Sequence, residues 1–571
     1  MAEYTPKQLN DLGEAYFTGV GKTQNKEMAY TYFKQAADLD NPIGHHNIGR
    51  YFLDKGDYKS ALDAFTKAKS YRYIPSYLAI AMMYKEGTGF KKNKKKAFKI
   101  YEEAAQNQDV DSYLALASCY ETGYGTKKSI EKAKIYYQKA VDLNHPFAMY
   151  KLATFYEQDL KDKTKQDQAF ELYEKASQQG EVHSLKRLIA IYDKGSIPLL
   201  KKKSQHYRQE MVFYYTELLA KQDDLDALIT VANRYFEGSQ ITPKNYEKAY
   251  QYYSLLAKQN HEIGYFGLGC LYLYGFGVKP NLERSKECFE RAQLKGHILA
   301  MTRLGDYYRL TAKQTSDYEM AKDWYLKAAK SNEPEALINL GLLHYRQQID
   351  QSNSTLALQY FETALKKGAL TAHYWLGVLY QKGEGVAKNS ELAKKHFEKA
   401  IQAGNVGAKY KLATMLLEWS EQPKLKAKAK MVMLQSMHEY FLAYAIDPQS
   451  NPANQMTAMT ELARNFEQGR GTELNFRAAR YWYEFASMKG DGNAMVWMYQ
   501  TLKTKEASVA WDWLKKASEK EDAPEASYQM GLVYQYGFQP FVSVDLKQAK
   551  KWFEQAAKKQ HPQAIATLLI L

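Results

Sequence analysis

Glycine pairs, histidines, three cysteines and one Ser-x-x-Lys segment are the parts of this chain with chemistry to offer. Gly-x-Gly occurs at Gly19/Gly21, Gly87/Gly89, Gly123/Gly125, Gly275/Gly277, Gly383/Gly385 and Gly469/Gly471. Such loops can cradle a phosphate on backbone N–H groups when they follow a strand and open a helix. Here each pair closes one helical pattern and precedes another, so the spacing predicts turns. His145, His261, His297 and His561 are of a type that carries protons or binds metal. All four stand just ahead of a helical pattern, where a polar side chain meets free backbone donors. His45 and His46 are adjacent and lack the i, i+4 spacing of a helical zinc pair. Cys119, Cys270 and Cys288 are too few and too irregular for a disulfide framework or a four-ligand zinc site. Ser129–Lys132 reads Ser-Ile-Glu-Lys, an acyl-enzyme motif, but neither Ser-Asp-Asn nor Lys-Thr-Gly accompanies it. No nucleophile, base and orienter set emerges, so no catalytic residue, metal or cofactor is assigned.

The elements that position these residues are helices. From Ala372 to Gly404 the chain reads AHYWLGVLYQKGEGVAKNSELAKKHFEKAIQAG. Ala372, Leu376, Gly377 and Tyr380 share one face of a helix, KGEG reverses the chain, and Leu392, Ala393, Phe397 and Ala400 mark a second helix. One hairpin of this kind cannot bury its own apolar faces. The same ending recurs at Ala36, Ala68, Ala104, Ala140 and Ala176, then Leu218 and Leu256. It continues at Ala292, Ala328, Ala364 and Ala400, then Tyr444, Ala486, Ala517 and Ala556. This predicts an all-α solenoid of about fifteen hairpins with a period of about 36 residues. Composition agrees. The chain has 48 tyrosines and 23 phenylalanines, enough for each unit to bury a ring or two. The formal charge of +15 rests on lysine, since only 14 of the 79 basic residues are arginine.

The first-helix endings LGEAYFTGVG, IAMMYKEGTG, LASCYETGYG, LGCLYLYGFG, LGVLYQKGEG and LARNFEQGRG are variants of A-x-x-x-L-G-x-x-Y-x-x-G-x-G. With the second-helix pattern K-A-x-x-x-[YF]-x-[KR]-A-A-x-x-G, they resemble the Sel-one-like repeats, relatives of the tetratricopeptide repeat with many bacterial members. The resemblance runs from about Leu9 to the end of the chain. It implies a right-handed superhelix whose inner curve, lined by first helices, holds a protein or peptide; many bacterial members are adaptors. The small residues Gly305, Gly341 and Gly377 are expected to let helices approach closely, with Tyr308, Trp324 and Trp552 filling space between them.

Departures from the pattern divide the chain. A main solenoid is expected over residues 1–446, with a local insertion at 193–212 where Pro198 interrupts the helical pattern. The Pro- and Asn-rich stretch at 447–457 reads as a connector, and 458–571 as a C-terminal block ending in half a repeat. That last apolar helix must pack back on its neighbour or against a second copy. No leader segment or membrane-spanning run is read, and a cytoplasmic setting is expected.

Counting from the small residue that opens each first helix, positions zero, four, five and eight form the buried face, and positions three and six point the other way. These columns supply Asn47, Arg50, Lys151, Arg187, Asn233, Arg303, Asn339, Trp375, Lys411 and Trp497 as candidate partner-binding residues. Amides and cations suit an extended peptide and its acidic groups, and an exposed tryptophan suits an anchor. The alternative for the tryptophans is packing against neighbouring repeats. The function expected is non-catalytic protein binding, as an adaptor or scaffold, with an acidic protein or peptide as partner. A second reading is electrostatic binding of nucleic acid or an anionic surface by the lysines of KKNKKK at Lys91 to Lys96, Lys127 and Lys128, Lys201 to Lys203 and the alternating Lys424, Lys426, Lys428 and Lys430. The scarcity of arginine and the lack of a reading module weigh against nucleic acid. A third, suggested by a link of some family members to penicillin, is a penicillin-interacting cell-wall enzyme acting through Ser129.

Overall fold

The computed structural model describes residues 4–570 except 160–161, 197, 350–352, 424 and 521–522. Among them are thirty-two α-helices and no strand. Thirty pair into fifteen antiparallel hairpins. The other two are the four-residue helix Pro198–Lys201 and the unpaired terminal helix Pro562–Leu568. Each first helix packs on its own second helix, and within each compact unit the second helix packs on the first helix of the following hairpin.

The chain falls into two compact units, Met1–Lys295 and Gly296–Leu571. The first contains eight hairpins; the second contains seven and the terminal helix. Within the second unit, residues 446–451 form a turn between the helices Ala427–Ala445 and Pro452–Gln468. Ser450 Oγ donates to the Tyr444 carbonyl at 2.5 Å, and Gln455 Nε2 donates to the Ala445 carbonyl at 2.9 Å. One apolar cluster runs past this turn, from Val378 to Val542.

The start of most second helices has a local cause. Asn25, Asn93, Asn245, Asn281, Asn389 and Asn475 are extended N-caps whose side chains accept the third backbone N–H of the helix. This occupies one of the donors that a helix start leaves free. The six glycine pairs end the first helices, with φ between +65° and +82°. In every pair but Gly19/Gly21 the second glycine also meets the preceding hairpin: a Cβ on Gly385 would lie 2.4 Å from the carbonyl of Ser354. The pairs are turns, five of them close-packed.

The expected close approaches are present. A Cβ added to Gly305, Gly341 or Gly377 would come within 2.4, 2.5 and 2.7 Å of the rings of Tyr325, Phe361 and Phe397. Those rings are fully buried. Near the expected insertion, the helix Val182–Lys194 ends at Gly195, Pro198 opens the four-residue helix, and the next second helix spans Gln205–Ala220. Residue 197 lies outside the described residues.

Candidate functional site

The polar side chains of the first helices form repeated inter-helix ties. Glu121 sits at the last turn of Val110–Thr122, facing both its own second helix and the next first helix. Tyr137 donates its hydroxyl to Glu121 at 2.6 Å, and Lys151, one repeat on, donates at 3.0 Å. The next rung repeats this. Glu157 accepts from Tyr173 at 3.0 Å and from Arg187 Nε at 2.9 and 3.0 Å, with Arg187 Nη2 bonded to the same carboxylate. A third rung lies in the second unit, where Glu467 accepts from Tyr483 at 2.9 Å and from the indole N–H of Trp497 at 2.9 Å. A buried phenol needs an acceptor, and the carboxylate supplies it. Burial, reinforced by that carboxylate, holds Tyr137, Tyr173 and Tyr483 well above the ordinary phenol range.

The other candidates are variations on this tie. Asp306 accepts from Arg303 at 2.7 Å, Tyr325 at 2.8 Å and Asn339 at 3.3 Å, while Arg303 also holds Glu335 at 3.1 Å. Asn233 accepts from Tyr253 at 2.9 Å. Asn47 donates to Asn10 at 3.2 Å and accepts from Arg50 at 3.1 Å, and Arg50 reaches Glu14 at 2.8 Å. Trp375 stacks on Phe361 with centroids 6.2 Å apart. Nine of the ten candidates are thus tied to other side chains, and several stay partly exposed; the Arg187 side chain is 43% accessible. Lys411 differs. Among the described residues no carboxylate lies within ion-pair distance of its ammonium.

The spacing rule misses the acceptors Glu121, Glu157 and Glu467. Their signal was available: Glu and Tyr lie 16 residues apart in three units, with the position-three residue 30 after the Glu.

The remaining chemistry-bearing residues have local roles. Ser129 caps Ile130–Asp142, accepting the Lys132 N–H at 3.3 Å. His145, His261 and His561 cap their helices in the same way, and His561 Nε2 also lies 2.7 Å from Glu525. His297 takes the same N-cap position with no side-chain cap bond. Burial pushes the Cys119 and Cys288 thiols up to about 11, away from the reactive thiolate. No group of three metal-ligating side chains occurs among the described residues. Many lysines lie over tyrosines, such as Lys94 at 5.4 Å from the Tyr124 ring and Lys132 at 5.2 Å from Tyr120. Lys424 lies outside the described residues. No helix among them is long and apolar enough to cross a membrane.

An all-α array of stacked hairpins, tied rung to rung by its first helices, defines a helical repeat protein. The Sel1 repeat family model matches residues 9–41, 74–109, 110–145, 146–181, 226–261, 263–297, 298–333, 334–368, 370–405, 457–491 and 524–561, and the chain belongs to this family. Sel1 repeat proteins generally bind other proteins, on a scaffold that is generally non-catalytic. The unmatched stretches include the short second hairpin and the two units with irregular loops.

The chain is also similar to solved structures. The Escherichia coli protein c5321, a protective antigen of uropathogenic strains displaying an SLR fold, is 19% identical with a TM-score of 0.40, covering 89% of this chain and 97% of that one. A Sel1 repeat protein from Oxalobacter formigenes is 25% identical with a TM-score of 0.31, covering 43% and 98%. A human IFIT1 dimer with PPP-AAAA is 14% identical with a TM-score of 0.32, covering 81% and 91%. No curated protein matches the chain.

Proposed function

We propose that the chain is a non-catalytic adaptor or scaffold that holds a partner protein or peptide on the face lined by its first helices. The observation that carries this reading is the part-exposed polar and aromatic side chains on the first helices of each unit, Arg50 and Arg187 in the first and Trp497 in the second, each held in place by a neighbouring repeat. Groups locked in this way lose little side-chain freedom on binding, which favours recognition. The ties also set its terms. A partner's carboxylate meets cations already paired, so hydrogen bonds to the open edges of the rungs contribute alongside charge. Ser129 acts here as a helix cap, which gives the cell-wall enzyme reading no support.

The test is hydrogen–deuterium exchange of the chain alone and with a partner recovered by affinity capture. Slowed exchange concentrated in first helices is expected. Protection confined to second helices would sink the reading.

A further inference from the structure

We infer that Lys411 marks a carboxylate-binding pocket within the second unit, a site created by a rung that lacks its acidic member. The inference rests on the protein-binding reading and specifies a ligand chemistry for it. In the rungs described above, a first-helix Glu is followed 16 residues later by a Tyr and 30 residues later by the side chain that closes the tie. The same register ending at Lys411 gives Gln381 and Phe397. Phe397 is fully buried and has no hydroxyl to satisfy, so its unit has no use for an internal acceptor. Gln381 is neutral and cannot pair the ammonium. Lys411 therefore keeps the position of Lys151 and Arg187 but not their partner.

The space around it is a cleft of about 640 Å³ to which Gln381 and Lys411 both contribute. That volume is in the range of small-ligand pockets. Its charged lining is Lys382, Lys388 and Lys411 against Glu384 and Glu418, a net positive wall. Lys382 is already engaged, donating to the Tyr345 hydroxyl at 2.8 Å and standing 3.5 Å from Glu384. Lys388 and Lys411 are the cations left for a ligand. Trp419, half-buried against the apolar core, supplies a flat wall beside them. The site thus fits a segment of a partner protein that places a carboxylate where other rungs have their own glutamate, with an apolar stem against Trp419. The carboxylate is that of an acidic side chain or of a chain terminus.

Gln381→Glu tests this directly, because it rebuilds the missing rung inside the protein. The probes are a fluorescent octapeptide of alternating Gly and Glu with blocked ends, its Gln counterpart with blocked ends, and that counterpart with a free C-terminus. Fluorescence anisotropy on the full chain is expected to show binding of a carboxylate-bearing probe and not of the fully neutral one. Binding of the Glu probe assigns the site to acidic side chains, and binding of the free-terminus probe alone assigns it to chain ends. Affinity should fall at least tenfold in both Lys411→Gln and Gln381→Glu, with Gln381→Glu melting no lower than the parent. Carbodiimide coupling of the bound probe should map to Lys411 or Lys388. Absence of binding by either carboxylate probe, or binding unchanged in both variants, would overturn the inference. Exchange protection on other first helices would then still uphold the protein-binding reading.

Discussion

The Trp497 ring lies 4.1 Å, centroid to centroid, from the ring of Tyr483, and both side chains donate to the single carboxylate of Glu467. Removing that carboxylate leaves two donors without an acceptor, one of them on a tyrosine that is 3% exposed. Glu467→Leu is expected to cost about 1–3 kcal/mol for the buried Tyr483 hydroxyl and less for the part-exposed Trp497 N–H, lowering the urea midpoint of unfolding. Adding Tyr483→Phe should recover part of the loss. A double variant no more stable than Glu467→Leu alone would show that the tie does not carry this stability.

Fifteen hairpins could be counted from the chain because each unit repeats the same small residues, glycine turn and buried ring at nearly constant spacing. Local causes were equally readable where one residue acts on its own helix, as with the histidine caps, or on its own hairpin, as at Gly341 and Phe361. The rungs were not read. A helical wheel treats each helix in isolation, and it placed Lys151 and Arg187 on an outward face without asking what the preceding repeat presents there. The answer lay 30 residues back, in Glu121 and Glu157. Trp375 stands out in a polar column of the sequence, whereas in the fold the rings of Phe361, Tyr345 and Tyr374 surround it.

Two helical glycines should respond to alanine in opposite directions. Alanine is favoured over glycine in a helix by about 1 kcal/mol. At Gly407 a Cβ would meet only ordinary contacts, Asn405 Oδ1 at 3.4 Å and the Tyr374 ring at 3.5 Å, so Gly407→Ala is expected to raise the melting temperature. At Gly341 it would lie 2.5 Å from the Phe361 ring, and overpacking of about 1–3 kcal/mol outweighs the helical gain. Gly341→Ala should therefore melt lower, and Phe361→Leu in the same chain should restore part of the loss. Thermal unfolding by circular dichroism reads both; equal shifts at the two sites would contradict the contact argument.

Ser129 offers a separate test of local structure. Its hydroxyl accepts the Lys132 N–H at the start of Ile130–Asp142, and loss of such a cap typically costs about 1 kcal/mol. Ser129→Ala should lower stability by that order, and Ser129→Asp should restore it by supplying both an acceptor and a charge suited to a helix N-terminus. Denaturant titration distinguishes the three proteins. Equal stability of the alanine and aspartate variants would remove the capping role.

Stability should fall in mild acid, with two histidines as identifiable sources. Burial, helped by the nearby Arg50, lowers His46 to about 4, and its Nδ1 lies 2.9 Å from Ser76 Oγ. Burial also lowers His396 to about 4, assisted by His373 and Lys399; its Nδ1 lies 2.9 Å from Nδ1 of His373. In the unfolded chain both imidazoles titrate near 6.5. Between 6.5 and about 4 the unfolded chain binds protons that the folded chain does not, so folding stability declines as pH falls through that window. Above 6.5 the two residues contribute no pH dependence. The melting temperature is therefore expected to drop progressively from pH 6.5 to 4. The double variant His46→Gln, His396→Gln should show a shallower slope over the same range, since carboxylate titration remains while the two buried imidazoles are gone. Parallel slopes for the parent and the variant would show that neither imidazole resists protonation in the folded chain.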